Sequence, residues 1–284
     1  MCDDQWVAKP QGLVNERARI VGNKQVGPRL YLMTLHAPVI QELYRCGQFV
    51  HLQVPGMEGH ILRRPFSVYD QDMNAGTIDV LYQTVGFGTD RMTALAPGQE
   101  IDLIGPVGHR WNVPDEAERV LLVGGGVGAA PLYTLAWGCV CSLRRVDVVL
   151  GAQTKDALVC RERYASLLSS AAAKTGGCDP EPRCATDDGT FGRAGFCTSL
   201  VEEALSQAKA EGAPYGYVAT CGPEPLMRIV ARMAADAGVP CEVSLEKRMA
   251  CGIGACLSCV VETKAGKKRS CVDGPVFDAA EVVW

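Results

Sequence analysis

The sequence predicts an antiparallel β-barrel followed by a parallel α/β domain, with a small cysteine-rich domain at the C-terminus. Three observations support this fold class. The first part of the chain has short β-type runs punctuated by glycine and proline, the middle alternates apolar strands with helical segments, and four thiols cluster near the end. A length of 284 residues suits more than one domain. The predicted boundaries are a tail at 1–12, the barrel at 13–114, the α/β domain at 115–240 and the cysteine-rich domain at 241–284.

The composition of the chain argues against several classes of function. With 48% hydrophobic and 21% charged residues, the chain has the profile of a soluble globular protein. A net charge of −4 argues against binding to nucleic acid, which needs a basic face. The uncharged stretch from Val120 to Leu143 is rich in glycine and contains a proline, so we expect no membrane span there. Fourteen cysteines without a visible signal peptide predict a reducing, cytoplasmic location.

The barrel region contains the runs "RLYLMTLHA", "GQFVHLQV" and "GTIDVLYQTV", which predict strands. Between them, "ILRRPFSVYD" contains an Arg-Pro-Phe-Ser motif that an ordinary edge strand would also explain. In the functional interpretation, Arg64 is a bidentate donor to a phosphate and Ser67 bonds the edge of an isoalloxazine ring. The turn from Gly86 to Thr89 would then offer backbone N–H groups to a pyrophosphate.

The α/β region has four apolar runs, "RVLLVGGG", "RVDVVLGA", "PRCATDD" and "YGYVATCG". A helix is predicted from Thr198 to Glu211, because Leu200, Ala204, Leu205 and Ala208 recur at helical spacing. Strands that alternate with helices predict a parallel sheet.

Two strand ends in this region are candidate nucleotide contacts. Gly124-x-Gly126-x-x-Ala129 opens a predicted helix and fits a loose dinucleotide fingerprint. The acidic residue expected about 20 positions later is missing, since Asp147 lies at the start of the second strand. A purely structural turn therefore stays open. Cys221, in "YVATCGPEPLM", is placed to face a nicotinamide or is simply a buried thiol.

The most specific pattern is Cys251-x4-Cys256-x2-Cys259-x11-Cys271, the spacing of plant-type [2Fe–2S] sites. Gly252 and Gly254 suit a loop that wraps closely around such a cluster. Structural zinc is the competing interpretation, although its four-cysteine sites favour two separated C-x2-C pairs and only one is present. The other ten cysteines have no spacing that indicates a shared site; they include Cys139, Cys141, Cys160, Cys178, Cys184 and Cys197.

Together these motifs resemble the ferredoxin–NADP reductase superfamily, and with the C-terminal cysteines the family of electron-transfer subunits of NAD-dependent dihydroorotate dehydrogenases. The resemblance runs from about Leu13 to Phe277. It implies that FAD is contacted by Arg64, Pro65, Phe66, Ser67, Leu81, Tyr82, Gln83, Gly88 and Thr89. It also implies that NAD meets Gly124, Gly125, Gly126, Gly128 and Cys221, with Cys221 in the catalytic role, and that Thr186 to Gly195 contributes less certainly. Cys251, Cys256, Cys259 and Cys271 would hold the [2Fe–2S] cluster.

The resemblance further implies an FMN-containing partner subunit that oxidises dihydroorotate, in a heterotetramer of two plus two that serves pyrimidine biosynthesis. Two other functions stay open: a reductase subunit of a bifurcating transhydrogenase, sulfide dehydrogenase or hydrogenase, and a zinc-binding flavoprotein scaffold or regulator. NAD is favoured over NADP because no basic pocket follows the second strand, although Lys155 is close to it.

Overall fold

The computed structural model describes residues 12–57, 59–60, 62–175 and 179–284. The predicted N-terminal tail and Cys178 therefore lie outside the described residues, apart from Gly12. Packing divides the chain into two compact units, each discontinuous in sequence. One contains the described residues up to Arg110 together with Leu245–Val276, and the other contains Trp111–Ser244 together with Phe277–Trp284. The domain boundaries near 114 and 240 stay predictions.

The first unit is built on a seven-stranded antiparallel sheet in the order β4-β3-β7-β1-β2-β6-β5. Its core is lined by alternate residues of these strands, among them Ile20, Met33, Val50, Ile78 and Leu103. This alternation arises because successive side chains of a strand point to opposite faces. The strands are β1 (Val14–Gly27), β2 (Leu30–His36), β3 (Phe49–Gln53), β4 (Arg64–Ser67), β5 (Asp70–Asp72), β6 (Thr77–Gln83) and β7 (Glu100–Val107), with helices α1 (Pro38–Leu43) and α2 (Phe87–Met92) between them.

The second unit contains a seven-stranded sheet in the order β11-β10-β9-β8-β12-β13-β16, parallel from β11 to β13. Its central strand is buried at all seven positions, as expected for a sheet covered on both faces. The strands are β8 (Arg119–Gly125), β9 (Arg145–Ala152), β10 (Arg183–Thr186), β11 (Arg193–Ala194), β12 (Tyr217–Cys221), β13 (Cys241–Ser244) and β16 (Val276–Asp278); the helices are α3 (Ala130–Cys141), α4 (Arg161–Thr175), α5 (Thr198–Ala210) and α6 (Glu224–Asp236).

The predicted fold class is confirmed, and so are the four parallel strands and the helix from Thr198. That helix buries Leu200, Val201, Ala204 and Ala208 along one face. A small hairpin, β14 (Val260–Thr263) and β15 (Gly266–Arg269), belongs to the first unit. Among the described residues, no helix combines the length and the apolar character needed to cross a bilayer.

Candidate functional site

Arg64 and the α2 turn are neighbours in the first unit. A Cβ placed on Gly88 would lie 2.7 Å from Arg64 Nε and 3.0 Å from its Nη2, so only glycine lets the guanidinium approach this backbone. Arg64 Nη1 donates to the carbonyl of Leu62. Within the described residues, Nε and Nη2 have no protein acceptor. A cation with free donors beside a helix start suits an anionic ligand, as the Arg-Pro-Phe-Ser interpretation requires.

Thr89 shapes this turn. Its buried hydroxyl accepts from the N–H groups of Val85 (2.8 Å) and Gly86 (3.2 Å) and donates to the carbonyl of Gly86 (2.9 Å). The hydroxyl is therefore fully used inside the turn. The N–H groups of the first turn of α2, including that of Gly88, have no acceptor within the helix and are free for a phosphate.

The predicted flavin residues on β6 divide between two faces. Tyr82 is buried in the barrel core, and its hydroxyl donates to Asn23 Oδ1 at 3.0 Å. Burial raises the pKa of Tyr82 to about 12, so the phenol stays protonated. The side chains of Leu81 and Gln83 point to the opposite face of the strand, and the Gln83 amide is exposed. Of the three, Gln83 alone is exposed, whereas Leu81 is 6% exposed and Tyr82 is held in the core, so contact of Leu81 with a flavin stays a prediction.

On β4, Phe66 packs its ring 6.0 Å from that of Tyr82 in an edge-to-face contact. Pro65 and Ser67 pair with His51 and Phe49 of β3, and all four residues of β4 are half-buried. Because β4 is an edge strand of its sheet, it stays accessible along one side. The individual FAD contacts at Pro65, Phe66 and Ser67 stay predictions.

The hairpin of β14 and β15 brings together Cys259 and Cys271, which are distant in the cysteine pattern. Cys259 immediately precedes β14 and Cys271 lies two residues after β15, so pairing of the strands brings their sulfur atoms to 3.3 Å. Both thiols are buried against Phe49 and Val107. Burial, followed by the neighbouring Cys259 thiol, raises the pKa of Cys271 to about 12. Binding to a metal would supply the free energy needed to deprotonate it.

Cys251 and Cys256 are the other two thiols, on the loop before β14, and Cys251 interacts with both Cys256 and Cys271. Cys251 Sγ accepts from the N–H of Ile253 at 3.5 Å, and Cys256 Sγ lies 3.2 Å from Ser258 Oγ. The Ser258 hydrogen bonds and then those of Cys251 lower the pKa of Cys256 to about 6. The lowered pKa favours the thiolate of this exposed residue, the form that binds metal.

The four thiols are a donor set that suits an iron–sulfur cluster. A [2Fe–2S] cluster needs four thiolates, two at each iron, so the pairs Cys251/Cys256 and Cys259/Cys271 fit its chemistry. The loop between Cys251 and Cys256 turns at Gly252 (φ +69°) and Gly254 (φ +84°), a backbone conformation that glycine adopts without strain.

His51 is a buried residue beside this loop that the sequence patterns do not single out. It is fully buried on β3, and among the described residues neither ring nitrogen has a partner in hydrogen-bond geometry, although backbone groups of Arg63 and Cys251 lie close to the ring. Burial, with the positive charge of Arg63 as the next cause, lowers its pKa to about 4. Its ring abuts Gly252, next to the first cysteine of the pattern.

In the second unit, the glycine loop is fixed by close packing against the end of β12. Gly124 pairs with Cys221 across the two strands. A Cβ on Gly128 would lie 2.5 Å from the Cys221 carbonyl oxygen, and one on Gly125 would lie 2.6 Å from Leu226. Gly126 differs, because it has open space around it and a φ of +56°. The loop thus brings Gly124, Gly125, Gly126 and Gly128 to the carboxyl edge of the sheet, where ligands of such folds bind.

Cys221 is at this edge but is 1% exposed. Contact of its thiol with a nicotinamide stays a prediction. The segment from Thr186 to Gly195 is also at the edge, and the backbone N–H of Lys155 donates to Thr190 Oγ1 at 2.9 Å. Lys155 therefore adjoins the segment that the resemblance assigns less certainly to the nucleotide.

Asp147 has a different role from that of a ribose-binding acid. It is buried near the start of β9, where its Oδ2 accepts from Arg119 Nε and from the Tyr215 hydroxyl, each at 2.8 Å. Arg119 also donates to Glu211 and to the Ala213 carbonyl. The hydrogen bonds of Asp147 lie near the start of β9, whereas ligands of such sheets bind at the carboxyl end, which here is Ala152. Asp147 and its partners therefore stabilise the sheet.

Three family models match the chain. An oxidoreductase FAD-binding domain matches residues 18–111, an oxidoreductase NAD-binding domain matches 122–232, and the iron–sulfur cluster binding domain of dihydroorotate dehydrogenase B matches 246–283. Together with the barrel, the parallel sheet and the cysteine loop, they define the class: a flavin- and pyridine-nucleotide-dependent oxidoreductase with an iron–sulfur domain.

Curated relatives make the assignment more specific. The electron transfer subunit of dihydroorotate dehydrogenase B (NAD(+)) from Desulforamulus reducens is 35% identical over 94% of this chain and 97% of its own length. The corresponding subunit from Bacillus caldolyticus is 36% identical over 94% and 98%. The chain belongs to this family of electron transfer subunits.

Solved structures agree with the fold. A structure of NADH-dependent reduced ferredoxin-NADP oxidoreductase, studied for flavin-based electron bifurcation, has a TM-score of 0.79 and 29% identity, and the match covers 94% of this chain and 90% of that one. The ferredoxin reductase of carbazole 1,9a-dioxygenase, with a TM-score of 0.65 and 20% identity over 84% and 70% of the two chains, shares the fold alone.

Proposed function

We propose that this chain is the NAD-linked half of a two-component dihydroorotate dehydrogenase of pyrimidine biosynthesis. Electrons from a partner's FMN would enter at the cysteine loop, pass through FAD and leave to NAD⁺. The observation that carries the proposal is the near full-length similarity to relatives that are named as electron transfer subunits of this enzyme. Four cysteines at the cluster positions support it, and the assembly would be a heterotetramer of two plus two.

When bound, the [2Fe–2S] cluster supplies single-electron transfer and FAD the conversion of two such electrons into a hydride. The tasks of the chain are placement and charge. Arg64 and the N–H groups at Gly88 and Thr89 would hold the FAD pyrophosphate, and the face of β6 that carries Leu81 and Gln83 would line the ring. The edge at Gly124–Gly128 would hold the dinucleotide, and the nicotinamide would lie at the end of β12, where Cys221 is buried.

The electron donor would dock at the outer side of the cysteine loop. Cys256 is exposed there, and Ile253 and Leu257 are 52% and 62% exposed. Exposed apolar side chains around a reactive thiol are typical of a surface that a partner protein covers. Burial of Cys259 and Cys271 on the inner side points the same way, because a cluster held there would be reached from the exposed side.

Replacement of Cys256 by serine tests the proposal directly. With the FMN-containing partner present, we expect loss of electron transfer from dihydroorotate to NAD⁺. Oxidation of NADH by an artificial acceptor should continue, because it needs only FAD and the nucleotide site. Cys141→Ser, at the end of α3 and outside the proposed sites, is the matched control. Loss of both activities with FAD retained would contradict the proposal.

A second candidate is the FAD and iron–sulfur reductase subunit of another complex, such as a bifurcating transhydrogenase, sulfide dehydrogenase or hydrogenase. The structural similarity to the NADH-dependent reduced ferredoxin-NADP oxidoreductase favours it. Co-purification from the native host separates the two candidates. An FMN protein that oxidises dihydroorotate supports the first, and any other redox partner supports the second.

Two further measurements complete the test. Iron and acid-labile sulfide at about two each per FAD would support the cluster, whereas zinc in a colourless protein would support a scaffold or regulator instead. Steady-state rates with NADH and NADPH would decide the nucleotide. We expect NADH to be preferred.

A further inference from the structure

Strand β3 has two faces with different surroundings. Val50 and Leu52 point into the barrel core. Phe49 and His51 point to the other side, where Phe49 packs with Cys259 and Cys271 in one buried cluster. The face of β3 that carries His51 is therefore covered by the cysteine segment. An apolar side chain would fill this position without cost, yet a histidine occupies it.

Both ring nitrogens of His51 are buried and have no hydrogen-bond partner within the described residues. A buried polar atom without a partner loses the hydrogen bonds that it makes with water, so native proteins usually supply one. A neutral imidazole has one N–H donor and one acceptor nitrogen. Backbone groups of Arg63 and Cys251 lie close to the ring without reaching hydrogen-bond geometry, so its N–H is available to an acceptor beside Cys251.

The chain is shaped to bring the cysteine loop onto this ring. A Cβ at Gly252 would lie 2.4 Å from His51 Nδ1, so no other residue at 252 allows this approach. Gly252 also has a φ of +69°, which favours glycine independently. Because Cys251 is its neighbour in sequence, the imidazole is beside the first ligand of the proposed cluster.

The positive charges around the His51 ring indicate that its hydrogen-bond acceptor is anionic. Arg63 and Arg64 both act on His51 as positive charges. Neither guanidinium group can accept a hydrogen bond. A cluster of ferric iron, sulfide and four thiolates has a net negative charge, and its sulfur atoms accept hydrogen bonds.

We propose that His51 is a positioning residue for the cluster, and that one ring N–H donates a hydrogen bond to a sulfur atom of the cluster or of Cys251. The inference rests on the proposed [2Fe–2S] site and adds a residue to it. The register places His51 opposite Pro65, in the middle of the Arg-Pro-Phe-Ser strand. His51 thus connects the strand assigned to the flavin with the loop assigned to the cluster. A hydrogen bond to sulfur stabilises the reduced, more negative cluster and raises its potential.

The test is an EPR-monitored redox titration of the full chain loaded with FAD and cluster. His51→Phe should lower the midpoint potential of the cluster, because the donor is lost while a ring of similar size is kept. His51→Gln should restore part of the potential, because its amide retains an N–H donor. His36→Phe, on β2 away from the cysteine segment, is the matched control and should titrate as the wild type does.

A pulsed-EPR spectrum of the reduced wild-type protein with ¹⁵N-labelled histidine gives a second readout. It should show a weak coupling to one nitrogen that His51→Gln removes. This measurement does not depend on the folding of the Phe variant. Equal potentials in all variants, or equal shifts in His51→Phe and His51→Gln, would overturn the inference and leave the proposed cluster intact. A wild-type chain that binds no iron would overturn both.

Discussion

The two glycine-rich loops of this molecule pack against different parts of the protein. In the nucleotide loop, a Cβ at Gly125 or Gly128 would collide with neighbouring atoms, including the backbone of β12 at Gly128. In the cysteine loop, Gly252 and Gly254 have positive φ values, and a Cβ there would meet the side chains of His51 and Val272 at 2.4 and 2.6 Å. The comparison teaches that packing against the protein backbone fixes the nucleotide loop, whereas the cysteine loop meets side chains only and is left to be fixed by the proposed cluster.

The largest expected effect is loss of the cluster from the cysteine loop with no change at the nucleotide loop. Cys259→Ser should remove the cluster, so iron and sulfide fall from about two each per chain to background. Affinity for NADH and FAD content should not change, since those sites are built from other residues. Metal analysis and fluorescence titration measure the two quantities, and Cys46→Ser, buried elsewhere in the barrel unit, is the control. Loss of NADH binding together with iron would break the comparison.

The next effect concerns the sheet that carries the nucleotide loop. Asp147→Asn leaves the Arg119 guanidinium buried with a weakened partner, and breaking a buried pair of this kind costs about 3–5 kcal/mol. Denaturant unfolding should show this loss, whereas Asp156→Asn, at an exposed position, should unfold as the wild type does. An Asp147→Asn variant of unchanged stability would show that the group does not support the sheet.

A smaller effect sharpens the account of the nucleotide loop itself. Gly128→Ala places a Cβ against the backbone of β12 and should cost about 2–3 kcal/mol and weaken NADH binding. Gly126→Ala has space but adopts a positive φ, so it should cost about 1 kcal/mol. Unfolding free energies and NADH affinities of the two variants test this order. The reverse order would mean that conformation, not packing, fixes this loop.

Much of the architecture follows from sequence patterns because strand ends and turns have local signals. The runs that form β2, β3 and β6 and the four parallel strands are all predicted. In contrast, no apolar run reveals β1, since only Ala18 and Ile20 of its fourteen residues are buried. Its place is set by pairing with β2 and β7, which are tertiary contacts.

The residues of the candidate site also divide into those with a local sequence signal and those that depend on tertiary contacts. Cysteine spacing predicts the ligand set, because a hairpin of short strands is all that is needed to unite Cys259 and Cys271. Two other features depend on residues distant in sequence: His51 meets Gly252, and Asp147 meets Arg119 and Tyr215. A lone histidine on a strand and an acid at a strand start have no local pattern that indicates such partners.

Hydrogen–deuterium exchange of the FAD-loaded protein, with and without its cluster, tests the central claim most directly. Removal of the cluster should greatly speed exchange in residues 251–259, because the loop loses the group that completes it. Residues 124–128 should exchange at the same rate in both samples, because backbone packing holds them. Equal protection of 251–259 in both samples, or loss of protection in both loops, would contradict the account.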